Sequence, residues 1–134
     1  MFVAHIDGAS RGNPGHAAYG VRVCDATGVE VATLGEYLGR QTNNYAEYQG
    51  LIAALRWASD NGVEAFTVRS DSQLLVRQMQ GRYKVKSTTL RPLWQQASEL
   101  AATLRTFRLE HVRRESNVEA DSLANDVLDA QSAR

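Results

Sequence analysis

Asp7-Gly8-Ala9-Ser10-Arg11-Gly12-Asn13-Pro14-Gly15 directly follows the apolar run Phe2-Val3-Ala4-His5-Ile6. A run of that length suits one strand. The glycine, asparagine and proline behind it have the density of a tight, backbone-exposing loop. The Asp7 carboxylate is therefore expected where a strand gives way to a turn. An acid in that place is a common turn former, so the stretch gains chemical meaning only from what the later chain brings to the same edge.

Working outward, Ala17 to Asp25 alternates loosely, with Tyr19, Val21 and Val23 on one face, and Val29 to Leu38 resumes the pattern after Gly28. Two such runs read as a hairpin and, with the first strand, give three antiparallel strands. The polar loop Gly39-Arg40-Gln41-Thr42-Asn43 leads into a helix from Asn44 to Ser59, which Thr42 or Asn43 can cap. Its stripe is Tyr48, Leu51, Ile52, Leu55 and Ala58, and Asn61-Gly62 ends it. Glu64 to Ser70 reads as a fourth strand and Ser72 to Gln80 as a second helix closed by Gly81. After the basic connector Arg82 to Thr89 comes a third helix, Leu90 to Leu104, with Pro92 tolerable in its first turn. Thr106 to Arg113 is the fifth strand, and Glu115-Ser116-Asn117 lead into a last helix that ends in the tail Gln131 to Arg134. The expectation is one α/β domain over residues 1–134, with a five-stranded mixed sheet whose last two strands run parallel to the first.

The 134 residues are 43% hydrophobic and 22% charged, which is the composition of an ordinary globular domain. Net charge is zero, which argues against avid nonspecific nucleic-acid binding but leaves room for a local basic patch. Cys24 is the single cysteine and reads as a small core residue. No apolar run reaches membrane-spanning length, and no charged leader precedes the first strand, so no membrane association and a cytoplasmic location are expected.

The strand directions place four carboxylates at one edge. Asp7 ends strand one, Glu47 lies in the first turn of the first helix, Asp71 follows strand four, and Asp121 opens the last helix. Each has a bland reading: Asp71 as a helix cap, Glu47 as a partner of the helix dipole, Asp121 as a solvated acid. Together they repel one another, and keeping them ionised and partly buried calls for a cation. No histidine or cysteine completes a zinc set. All-oxygen ligation favours Mg²⁺ or Mn²⁺. Two such ions about 4 Å apart activate water and stabilise a leaving oxygen in phosphodiester hydrolysis. Asn13, Asn43 and Asn44 are polar residues beside this edge.

The opening stretch, Thr42-Asn43-Asn44-Tyr45-Ala46-Glu47-Tyr48, Ser70-Asp71-Ser72 and Arg114-Glu115-Ser116-Asn117-Val118-Glu119-Ala120-Asp121 resemble, in order and spacing, type 1 ribonuclease H. The resemblance covers nearly the whole chain. It implies a sheet with helices on both faces and endonucleolytic cleavage of the RNA strand of an RNA–DNA hybrid, leaving 5′-phosphate and 3′-hydroxyl ends. It makes Asp7, Glu47, Asp71 and Asp121 the catalytic ligands of two Mg²⁺ or Mn²⁺ ions. Asn43, the backbone from Gly8 to Ser10, and Gln73 would meet RNA 2′-hydroxyls, which mark RNA off from DNA. Arg40 and Thr42 match positions that hold a DNA-strand phosphate, and Asn13, Asn44 and Asn117 complete the expected substrate contacts on this edge.

Two departures from the family stand out. The stretch between Val112 and Asn117 is short and lacks the loop histidine that some members carry; His111 falls within the strand and reads as structural. His5 reads as a packed core histidine and His16 as exposed. Gly81 to Thr89 is too short for the basic protrusion of other members, leaving Arg82, Tyr83, Lys84 and Lys86 to track the DNA strand. Weaker, salt-dependent binding and action on other RNA-containing duplexes are expected. A monomer is expected. The alternatives are a catalytically silent hybrid- or RNA-binding module, which gains nothing from four acids beside phosphates, and a resolvase- or integrase-like DNA nuclease.

Overall fold

The computed structural model describes residues 1–133. Its five strands are β1 (Phe2–Gly12), β2 (Gly15–Cys24), β3 (Glu30–Gln41), β4 (Ala65–Ser70) and β5 (Thr106–His111), in the sheet order β3-β2-β1-β4-β5. The β1–β2 and β2–β3 pairs are antiparallel; β1–β4 and β4–β5 are parallel. The helices are α1 (Asn43–Asp60), α2 (Gln73–Met79), α3 (Arg91–Ala102) and α4 (Val118–Ser132), with a 3₁₀ turn at Arg114–Ser116 before α4. The mixed sheet expected from the pattern is present.

The glycine-rich opening stretch is not a loop. β1 runs on to Gly12, paired with β2 as far as Gly12 opposite Gly15, and Asn13 and Pro14 alone make the turn. Small residues gave the stretch a loop-like composition, but antiparallel pairing satisfies its backbone. Asp7 therefore lies inside a strand. The polar stretch before α1 is shorter than expected for a similar reason: β3 reaches Gln41, with Gly39 at a positive φ of 75° and a register shift opposite Ala17/Ala18. Such a bulge takes up one unpaired residue.

Helix α1 begins at Asn43 because the Thr42 side chain accepts the Tyr45 N–H at 3.2 Å. Its stripe packs against Ala4, Ile6, Val21 and Val68 in one core, with α3 alongside. Fully burying a residue such as Leu51 or Leu55 stabilises by about 1.5–3 kcal/mol. Helix α4 lies against β1, β2 and β3 through Ala120, Ala124 and Leu128, all buried.

Two glycines let helices come down onto the sheet. A Cβ at Gly8 would stand 2.8 Å from the Glu47 Cα and overlap the backbone of Ala46, so α1 rests directly on β1 there. A Cβ at Gly20 would stand 2.7 Å from the Ala124 nitrogen and 2.8 Å from the Leu123 Cβ, which is how α4 sits on β2. No helix among the described residues is long and apolar enough to cross a membrane.

Candidate active site

The parallel ladder of β1 with β4 ends at Ile6 opposite Ser70, and Asp7 and Asp71 are the next residues along the two segments. Neighbouring strands lie about 4.8 Å apart, so their carboxylates leave the sheet side by side. Asp71 is free to point outward because Ser72 takes the capping role, its hydroxyl accepting the Leu75 N–H at 3.2 Å. The Ser70 hydroxyl in turn accepts the Ser72 N–H at 3.1 Å. Glu47 is the fifth residue of α1, one residue further in than expected, and is held over β1 by the Gly8 contact.

Carboxylate oxygens of Asp7, Glu47 and Asp71 lie within 4.8 Å of one another. Asp121 is not part of that triad. It lies beside them on the same cleft, and its Oδ1 accepts from Asn125 Nδ2 at 3.3 Å. All four acids line one open cleft of about 610 Å³, with Gly8, Ser10 and Asn43 on one wall.

Burial, first of all, and then the neighbouring Glu47, Asp71 and Asp121 hold the Asp7 carboxyl well above the usual carboxylate range. Glu47 is pushed up too, chiefly by burial and then by Asp71, against the opposing pull of a Gly8 N–H bond. One Glu47 oxygen, Oε2, is buried without a partner. Buried acids that repel one another are what a bound cation would relieve. Hard oxygen donors, an orphaned buried oxygen and mutual repulsion fit a hard divalent cation.

The remaining expected contacts divide among three places. Asn43 lines the acidic cleft, but Asn44 faces a second cleft of about 470 Å³ with Asn13, Arg40 and Thr42. There Asn13 Oδ1 accepts the Asn43 N–H at 3.1 Å, tying the hairpin tip to the start of α1. Tyr83 and Lys84 line a third groove of about 350 Å³. The Tyr83 ring lies 5.3 Å from the Arg77 guanidinium, and its hydroxyl accepts from Arg77 Nη1 at 2.7 Å. Gln73 is exposed at the start of α2. The Ser10 hydroxyl is occupied within the protein, donating to the Gln41 carbonyl at 2.9 Å.

Asn117 cannot contact substrate. It is fully buried, and its Nδ2 donates to the Ile6 carbonyl at 2.8 Å. The reading of His111 as a structural residue also fails: it is exposed and lines the acidic cleft, because β5 ends there and nothing covers the face beyond Leu109. Its place within a strand marked it as structural and gave no sign of what lies beyond the strand's end. His5 is half-buried, and His16 is exposed with Nδ1 2.6 Å from the Tyr37 hydroxyl. Ser87 and Thr89, in the second cleft, and Arg91 and Trp94, in the third, were not marked by any local pattern.

Residues 5–127 match the family model described as Reverse transcriptase-like. The crystal structure of RNase H1 from Halobacterium salinarum superposes with a TM-score of 0.93 at 43% identity, covering 96% of this chain and 98% of that one. The chain belongs to the type 1 ribonuclease H family. A second family structure, LC11-RNase H1 in complex with RNA/DNA hybrid, superposes with a TM-score of 0.92 at 37% identity over 98% of this chain and 99% of that one. The Mycobacterium tuberculosis bifunctional protein Rv2228c is 48% identical over 129 residues, 96% of this chain and 35% of its own length. The chain thus spans about a third of the mycobacterial relatives it matches. In this type 1 ribonuclease H domain only residues 80–90 separate α2 from α3, a shortened form without the basic protrusion.

Proposed function

We propose that this domain hydrolyses the RNA strand of RNA–DNA hybrids endonucleolytically, leaving 5′-phosphate and 3′-hydroxyl ends. The observation that carries the reading is the meeting of Asp7, Glu47 and Asp71 within 4.8 Å, with Asp121 on the same cleft. The solved relative bound to an RNA/DNA hybrid supports the substrate.

Asp7, Glu47, Asp71 and Asp121 would hold two Mg²⁺ or Mn²⁺ ions. Bound there, such ions supply an activated water and charge stabilisation at the leaving oxygen. The chain's own residues do the rest. Asn43, the Gly8–Ser10 backbone and Gln73 offer hydrogen-bonding groups to 2′-hydroxyls along the RNA strand. Arg40 and Thr42, beside the α1 N-terminus, hold a phosphate of the DNA strand, since an exposed guanidinium and a helix start both favour an anion. Tyr83 and Lys84 track that strand further along by stacking and charge.

The test uses end-labelled RNA annealed to DNA, annealed to RNA, or left single, with Mg²⁺, Mn²⁺ or chelator. Cutting of the hybrid that needs metal supports the reading. Binding without cutting in either metal points to a silent module, and cutting of an all-DNA duplex points to a DNA nuclease. Cutting of the RNA duplex as well extends the substrate range.

A further inference from the structure

Asn117 is the N-cap of α4, where an asparagine side chain ordinarily accepts an N–H of the first turn. Here it makes no such bond. Its Nδ2 instead crosses to β1 and donates to the Ile6 carbonyl at 2.8 Å, while Oδ1 is buried with no partner. A carbonyl only accepts, so the amide orientation follows. An orphaned buried acceptor is unfavourable, and a leucine would fill nearly the same volume without one.

The two ends of this residue connect two of the acids. The Ile6 carbonyl belongs to the peptide group whose nitrogen is that of Asp7. The backbone carbonyl of Asn117 accepts the Asp121 N–H at 3.2 Å. Asp7, Glu47 and Asp71 are registered to one another by the β1–β4 ladder and by the seating of α1 on Gly8. Asp121 arrives on α4, whose buried face near that end is Ala120 and Ala124. The seating of α4 on Gly20 and the exposed Arg11–Asp129 pair towards its far end hold the helix against the sheet. The Asn117 bond is a buried, directional tie beside Asp121 itself, and a hydrogen bond weakens steeply away from its preferred geometry.

We propose that Asn117 is a positioning residue whose bond to the Ile6 carbonyl sets the spacing of Asp121 from Asp7, completing the fourth corner of the metal-holding site. The inference rests on the nuclease reading for the purpose of the site, but not for its test.

Asn117→Leu keeps the volume and removes both the bond and the orphaned oxygen. Because the Ile6 carbonyl loses this donor as the orphaned Oδ1 is removed, the two effects offset and melting is expected close to the wild-type temperature. Mn²⁺ binding, followed by calorimetry without nucleic acid, should weaken about tenfold or more, as for residues that orient metal ligands. Turnover on the hybrid should fall about as far, with KM within about twofold. In an Asp121→Asn background the same substitution should cost no further Mn²⁺ affinity. Unchanged affinity and turnover, or an equal loss in both backgrounds, would overturn the proposal. Failure of both Asn117→Leu and Asn117→Ala to fold would also overturn it, by making the bond a requirement of the fold itself. A wild type that binds Mn²⁺ but cuts no hybrid would sink the nuclease reading, and the affinity comparison would still decide the role of Asn117.

Discussion

Ile6 and Ser70 face each other as the last pair of the β1–β4 parallel ladder, and the residue after each is an aspartate. The end of one ladder thus aims two carboxylates into one cleft, although they are far apart along the chain. Glu47 completes the triad from above, and the resulting repulsion is a measurable property of the metal-free protein.

Asp71→Asn removes one ligand and one negative charge. Cleavage should fall by at least ~10²-fold, the upper range seen even for residues that merely orient metal ligands. Melting in chelator should be unchanged or slightly higher, because repulsion on Asp7 and Glu47 is relieved. Full activity in this variant would remove Asp71 from the metal site.

The raised carboxyls predict an unusual dependence of stability on pH. Asp7 and Glu47 are held above the usual range in the folded chain, and both return to about 4 when it unfolds. Between those values the folded state binds more protons than the unfolded one, so stability falls as pH rises. In chelator the melting temperature should drop steadily from about pH 5 to 9, and saturating Mg²⁺ should flatten the slope. Calorimetry across that interval checks it. A flat or rising trend in chelator would show that the two acids ionise together at no cost.

Gly8→Ala tests the seating of α1. The new Cβ would meet the Ala46 and Glu47 backbone, which rigid elements relieve only by separating. A loss of about 1–3 kcal/mol is expected from overpacking. Because Glu47 moves with α1, turnover should drop by up to ~10²-fold, as displacements of about 1 Å in a site do. Denaturant melts and steady-state rates together separate this from simple unfolding, since folded protein at low temperature should still be slow.

Arg40→Ala should raise KM for the hybrid more than it lowers turnover. The slope of log affinity against log salt should fall by about 0.9, the share of one phosphate contact on a duplex. An unchanged salt slope would remove Arg40 from the DNA-strand contact and leave the cleft with Thr42 and Asn44 to other uses.

Much of this protein was readable from short stretches. The α1 stripe of Tyr48, Leu51, Ile52 and Leu55 is buried as its spacing requires, and Thr42 caps the helix as a threonine before such a stripe should. The mixed sheet followed from alternation, turn residues and connection lengths, and the convergence of four acids followed from strand direction. These features are set by neighbours in sequence, where helical period, capping chemistry and β alternation operate.

What tertiary structure decided was how far each pairing extends and what each side chain meets at its end. Gly8 to Gly12 read as a loop because small residues look alike in a loop and in a strand; the partner β2 makes them a strand. Asn117 stood in a motif beside the acids and so read as a contact, yet Ile6, more than a hundred residues away, accepts its hydrogen bond inside the core. His111 read as structural because it falls within a strand, although it is exposed where β5 ends and lines the acidic cleft. Local pattern specifies which elements form. Burial, hydrogen-bond partners and the edges of a cleft depend on contacts between distant segments, which exist only once those segments have packed.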